Sequence, residues 1–169
     1  VAGAATALGL RHGPLHAEAR LARDNVYVLE VAARPIGGLC ARALRFLPRG
    51  GAAVAPLPLE ALLLRGALQP RAVAGYRREP QAAGVMMIPI GEGGFLREVG
   101  GQEAARAVPG VEDVVITAKS GEMLEPLPEG ASYLGFIFAR AATPAAVEAA
   151  LRAAHGRLRP RFTPALPLA

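Results

Sequence analysis

The chain has one cysteine, Cys40, one lysine, Lys119, and no tryptophan in its 169 residues. A single cysteine excludes an internal disulfide framework and fits a reducing, cytoplasmic setting. Cys40 follows a Gly37-Gly38 pair, and there a buried small apolar residue is favoured over a catalytic nucleophile. No run of about 18 apolar residues occurs, so no segment reads as a membrane span. The opening VAGAATALGLRHG is apolar but has no basic leading segment, and it resembles the end of a helix more than a signal peptide. With no initiator Met and helix-like sequence from the first residue, the chain reads as a piece of a longer protein.

What is present is an apolar, arginine-rich globular composition. The hydrophobic fraction is 52% and the charged fraction 20%, a balance that excludes a disordered chain. The net charge of +5 invites a nucleic-acid reading. Its distribution argues against one, because nearly all the cations are arginines scattered along a sequence rich in Ala, Gly and Pro, a codon bias of GC-rich genomes. The only dense basic group is Arg157, Arg159 and Arg161. Three Tyr and five Phe do not interleave with the arginines as stacking platforms would.

The most informative segment is Pro14 to Gly38, PLHAEARLARDNVYVLEVAARPIGG. Two runs of alternating polarity, 14–22 and 26–32, are joined by the polar turn Arg23-Asp24-Asn25, which predicts a β-hairpin. Side chains alternate faces along a strand. That parity puts His16, Glu18 and Arg20 on one face of the first strand, and Val26, Val28 and Glu30 on one face of the second. With the turn centred near Asp24, Glu18 and Glu30 fall opposite each other. Opposed like charges repel unless a cation lies between them. Magnesium, which takes hard oxygen ligands from one or two carboxylates plus substrate phosphates, suits such a pair. Arg34 beyond the second acid can clamp an anion in two-point geometry. Gly37 and Gly38 allow close backbone approach to an anion, and a helix starting after them would aim N–H groups the same way.

Along the rest of the chain, 1–9 reads as a helix end, 39–46 as a helix, 47–58 as a Gly- and Pro-rich loop, and 59–68 as a short leucine-rich helix. Composition changes near residue 80. Strands are predicted at 82–90 and 95–99, joined as a hairpin through Gly91-Glu92-Gly93-Gly94, and at 111–118 and 133–139. A short helix spans 102–108. Thr143 caps a second helix whose apolar positions are Val147, Ala150, Leu151 and Ala154, with Glu148 and Arg152 as a surface pair. The Pro-rich tail after Gly156 is expected to hang loose or pack on a neighbour. The fold class is α+β, divided as 1–80, a small α+β domain of four strands and two helices at 81–160, and a tail at 161–169.

The ordered set of Glu18, Glu30, Arg34 and Gly37-Gly38 resembles the C-terminal end of the ATP-grasp fold of carboxylate–amine and carboxylate–thiol ligases. In that family two magnesium-binding acids lie on neighbouring antiparallel strands, and the second opens a Glu-x-Asn-x-Arg pattern. Glu18 matches the first acid, Glu30 the second and Arg34 the arginine, while Ala32 stands at the Asn position. The variant Glu-Val-Ala-Ala-Arg, as in Glu30 to Arg34, resembles the L-amino-acid ligase branch. The segment GVMMIPIGEGGFLREVGGQEAARAVPGVEDVVITAKSGEMLEPL and the later YLGFIFARAATPAAVEAAL are similar to the small domain that follows the grasp, related to one in biotin carboxylase. The resemblance covers roughly Gly9 to Leu151. It implies metal ligation by Glu18 and Glu30 (Mg2+ or Mn2+), nucleotide contact by Gly37, Gly38 and His16, and stabilisation of an acyl phosphate by Arg34. It further implies ATP, a carboxylate or amino-acid substrate and an amine, with a homodimer as a further expectation. The family's nucleotide-binding lysines and glycine-rich flap lie upstream of the paired acids, so the chain alone is expected to be inactive.

Plainer roles stand beside these. Glu18 and Glu30 could be solvated positions of an edge hairpin, Arg34 an ion-pair partner, and His16 a structural hydrogen-bonding residue. His12, His155 and Lys119 read as surface residues, and Met86, Met87, Phe136 and Phe138 as strand packing. The alternative function is a stand-alone, non-catalytic protein-interaction module. Neither reading gives the +5 charge a specific nucleic-acid or membrane partner. A salt titration with duplex DNA is therefore expected to detect no sequence-selective affinity; selective binding that persists as salt is raised would overturn this exclusion.

Overall fold

The computed structural model describes residues 1–37, 39–51 and 54–164. It is an α+β structure with antiparallel pairing throughout, and it divides into two compact units, Val1–Glu79 and Pro80–Ala169.

The first unit opens with helix α1 (Ala2–Ala7) and then the hairpin of β1 (His16–Ala22) and β2 (Asn25–Ala32). Its turn is two residues, Arg23-Asp24, because Ala22 pairs directly with Asn25. Arg23 adopts φ 53°, the positive angle that tight hairpin turns require, although it is not glycine. A four-residue 3-10 turn, Cys40–Ala43, leads into β3 (Arg45–Pro48). This strand lies between β4 (Leu57–Pro58) and β5 (Tyr76–Arg78). The expected helix at 39–46 is thus corrected. Its second half pairs on both sides, Phe46 with Leu57 and with Arg78, and these long-range ladders override the weak helical preference of Ala-Arg-Ala-Leu. The same pairing draws both ends of the expected loop 47–58 into strands. Helix α2 (Leu59–Leu68) forms as its leucine spacing predicts, ends at Gln69, and gives way to a 3-10 turn at Pro70–Gly75.

The second unit contains β6 (Ala82–Ile88), β7 (Gly94–Gly100), α3 (Gln102–Arg106), β8 (Val111–Ile116), β9 (Met123–Leu124), β10 (Gly135–Ala141), α4 (Pro144–His155) and β11 (Arg159–Thr163). Two three-stranded sheets result, ordered β6-β10-β8 and β11-β7-β9. The expected hairpin of 82–90 with 95–99 does not form. Pro89 offers no N–H to extend β6, and the two strands go to different sheets. The described part of the expected tail does not hang loose, while 165–169 lie outside the described residues. Arg159 to Thr163 pair with β7 as an edge strand, where Pro160 is tolerated. Among the described residues of this unit there are six strands, where four were expected.

Helix α4 packs on β6 and β10. The Thr143 side chain accepts a hydrogen bond from the Ala146 N–H at 3.2 Å, the cap its sequence predicts. Val147, Ala150, Leu151 and Ala154 are buried. The helix comes this close because residue 84 is glycine: a Cβ there would lie 2.7 Å from the Val147 Cγ1. Glu148 and Arg152 make the expected surface pair at 2.7 Å.

The two units differ sharply in burial. Among the described residues the second unit buries sixteen apolar side chains, with Ile88, Leu96, Val114, Leu124, Leu134 and Ile137 at 1% exposure or less. Among its described residues the first unit buries only Ala5, Ala41 and Leu62. Large-to-small changes should therefore be felt at many more positions in the second unit than in the first. Ile137→Ala is expected to cost about 3 kcal/mol in urea unfolding, whereas Leu21→Ala is expected to stay within about 0.5 kcal/mol. Gly101, at φ 76° before α3, would drive a Cβ into the Arg157 carbonyl oxygen. Gly101→Ala should cost about 2–3 kcal/mol in the same measurement.

Candidate functional site

The hairpin carries the candidate residues, and its register decides what they can do together. Glu18 pairs directly with Glu30. The route to that pairing differs from the expected three-residue turn. A two-residue turn alone would set Glu18 opposite Leu29. A bulge between Glu18 and Ala19 instead leaves Leu29 as an extra residue in β2, so Glu18 meets Glu30 while Ala19 meets Val28.

This bulge corrects the face assignment on the second strand. Val26 and Val28 do not share a face with Glu30. They lie opposite Leu21 and Ala19, on the face that also holds Ala17 and Val31. The other face holds His16, Glu18 and Arg20 from β1, with Ala32, Glu30 and Tyr27 opposite them. Tyr27 was not singled out by sequence because strict parity placed it on the apolar side. A signal did exist: keeping Val26, Val28 and Val31 together requires a break between Val28 and Glu30.

On the polar face, the His16 Nε2 lies 3.3 Å from the Glu18 Oε1. His16 is the more covered of the two, at 22% side-chain exposure against 56%. The Glu30 side chain makes no hydrogen bond or ion pair with any described residue. Ala32, at the position where the resemblance expects Asn, pairs with His16 and contributes only a methyl group to this face. Among the described residues no group of three or more His, Cys, Asp or Glu gathers for a metal ion. Two hard carboxylates left exposed and directly opposed still fit a divalent cation whose remaining ligands are water and phosphate.

Arg34 follows the end of β2 on an exposed bend, where its backbone N–H donates to the Ala32 carbonyl at 2.8 Å. Its Nη1 donates to the Pro35 carbonyl at 3.2 Å. A Cβ on Gly37 would lie 3.6 Å from that same Nη1, so the guanidinium passes over the bare backbone of residue 37. Gly38 lies outside the described residues. The structure thus brings together His16, Glu18 and Glu30 on the strands and, separately, Arg34 with Gly37 beyond them. The helix expected after the glycines is only the 3-10 turn Cys40–Ala43, and Cys40 is a half-buried free thiol. His12 and Lys119 are exposed, while His155 is partly covered. Phe136 and Phe138 stack on each other with ring centroids 6.4 Å apart.

Residues 86–163 match the family model for L-amino acid ligase C-terminal domain 2. Among solved structures, the chain is similar to an L-amino acid ligase from Bacillus licheniformis at 28% identity and a TM-score of 0.76, covering 95% of this chain and 39% of that one. It also shares its fold with a phosphoribosylglycinamide synthetase from Anaerococcus prevotii at 14% identity and a TM-score of 0.72, again over 95% of this chain and 39% of the other. The chain therefore spans well under half the length of either solved protein. No curated protein sequence matches it. The chain thus carries a match to an L-amino acid ligase C-terminal domain within its second unit, and over both units its fold is similar to that of part of two ATP-grasp ligases.

Proposed function

We propose that this chain supplies the metal-facing side of an ATP-dependent carboxylate–amine ligase that joins amino acids, working in the cytoplasm. The observation that carries the reading is the cross-strand pairing of Glu18 with Glu30 on an exposed polar face. These two carboxylates would hold Mg2+ or Mn2+, which in turn neutralises the phosphate charge of ATP. His16, at 3.3 Å, fixes one oxygen of Glu18 and leaves the other free to ligate. Arg34 and the open backbone at Gly37 form the anion-facing end of the site, with Gly38 beside them in sequence. There the guanidinium offers two parallel donors to a phosphoryl or acyl-phosphate oxygen and stabilises the charge that develops on transfer.

ATP supplies the activation of the substrate carboxylate, and the amine of a second substrate then displaces the phosphate. Nucleotide binding needs residues outside the two units described, so the chain alone holds ATP poorly. An interaction module without catalysis is the second reading. It draws on Phe95 and Met123, neighbours in register on β7 and β9 and both about two-fifths exposed, at 41% and 42%.

The decisive experiment completes the chain with the nucleotide-binding part of an ATP-grasp ligase and measures amino-acid-dependent ADP release. Glu30→Gln is expected to lower the rate by roughly a hundredfold or more, because one of two charged metal ligands is lost. Arg34→Lys should lower it by roughly tenfold or more through loss of two-point anion contact. Normal turnover in the Glu30→Gln protein would contradict the metal assignment. Absence of turnover in the wild-type assembly, with partner binding intact, would favour the interaction module.

A further inference from the structure

Arg20 brings a fixed positive charge to the face of the hairpin that holds Glu18 and Glu30. It follows Glu18 by two residues on β1, so its side chain stands on the same face about 7 Å along the strand. Tyr27 is its cross-strand partner. Glu18 lies within an arginine's span on its own strand and Glu30 on the diagonal, close enough for either to pair with it. Neither does. Arg20 is exposed, and its guanidinium makes no hydrogen bond or ion pair with any described residue. Along the ladder the order is His16 with Ala32, Glu18 with Glu30, Ala19 with Val28, and Arg20 with Tyr27 towards the turn. Arg34 follows Ala32 beyond the other end, where its Nη1 donates to the Pro35 carbonyl. The two acids are thus flanked along the chain by an arginine on each side, and the one on the turn side is free.

We propose that Arg20 binds the second phosphate of a linked-phosphate ligand whose first phosphate shares the divalent cation held by Glu18 and Glu30. This rests on the metal reading above and adds to it a preference for di- or triphosphate over a single phosphate. Two carboxylates already offset the charge of a divalent cation, so a ligand with several negative charges needs a further cation beside it. The guanidinium supplies one, with two donors in a plane that match two phosphate oxygens. A single phosphate seated on the metal has no part that extends towards Arg20, whereas a linked one does. The same placement gives Arg20 opposite effects on two ligands. Across about 7 Å its charge repels a bare cation, and it attracts the phosphate chain that the cation carries. A residue that only shapes the hairpin would act on both in the same direction.

The test titrates the 169-residue chain with three probes: Mn2+ alone, Mn2+ with inorganic orthophosphate, and the preformed Mn2+ complex of inorganic diphosphate. Paramagnetic broadening of the hairpin amides gives an affinity for each. Arg20→Ala should bind the diphosphate complex roughly fivefold or more weakly, through loss of the two-point contact. It should bind Mn2+ alone equally well or up to about threefold more tightly, because a repelling charge is gone. Its affinity with orthophosphate should stay close to that of the wild type, and Arg20→Lys should recover part of the loss with diphosphate. Diphosphate affinity indifferent to Arg20→Ala would overturn the proposal while leaving the metal assignment intact. So would an equal loss with all three probes, the mark of a merely structural arginine. Absence of hairpin broadening by Mn2+ in the wild-type chain would instead sink the metal assignment, and this proposal with it.

Discussion

One extra residue, Leu29, decides which side chains share a face of the first unit's hairpin. Two strands joined by the two-residue turn Arg23-Asp24 would, in perfect register, place Glu18 against Leu29 and scatter the charged side chains over both faces. The bulge shifts the ladder by one at that point, so Glu18 meets Glu30 on one side, with Ala19 and Val28 on the other. A β-bulge leaves one residue unpaired and strengthens local twist. In return the hairpin has one face that carries both acids and another that carries its apolar side chains. Both acids and all three valines of β2 depend on that single insertion.

The remainder of the molecule shows what a self-sufficient unit looks like by comparison. The second unit closes around Ile137 of β10, with α4 seated over Gly84 and neighbouring strands supplying Ile88 and Val114. Its polar groups are satisfied locally: the Arg140 guanidinium, with a side chain 7% exposed, pairs with Glu112 at 3.0 Å. The first unit has a four-residue central strand in its three-stranded sheet and leucines facing water. The family match falls entirely within the second unit, over 86–163, while the candidate ligands lie in the first. The family match and the candidate ligands thus fall in different parts of the chain.

The sequence made local structure legible where local forces decide it. Helix α2 at 59–68 and the capped α4 follow from leucine spacing, Thr143 and Pro144, and the structure places both where the pattern does. The pairing of Glu18 with Glu30 was legible too, although the geometry behind it was not. Partner choice was the harder part, because it is settled by distant contacts. The glycine-rich turn at 91–94 signals a hairpin, yet β6 finds β10 and β7 finds β11. Residues 159–163 read as tail because of Pro160, which an edge strand accommodates. For the candidate site, the hairpin and the Glu-Val-Ala-Ala-Arg run made the pairing of the two acids legible. The bulge was hidden because period-two reasoning assumes that no residue is extra.

The proposed role of the hairpin requires that Glu18 and Glu30 share a divalent cation. The most direct measurement is paramagnetic broadening of backbone amide signals as Mn2+ is added to the 169-residue chain. Broadening should begin at residues 17–19 and 29–31, before signals from the second unit, and should vanish there in a Glu18→Gln chain. First broadening at Glu112 and Asp113, or broadening at the hairpin unchanged by Glu18→Gln, would contradict it.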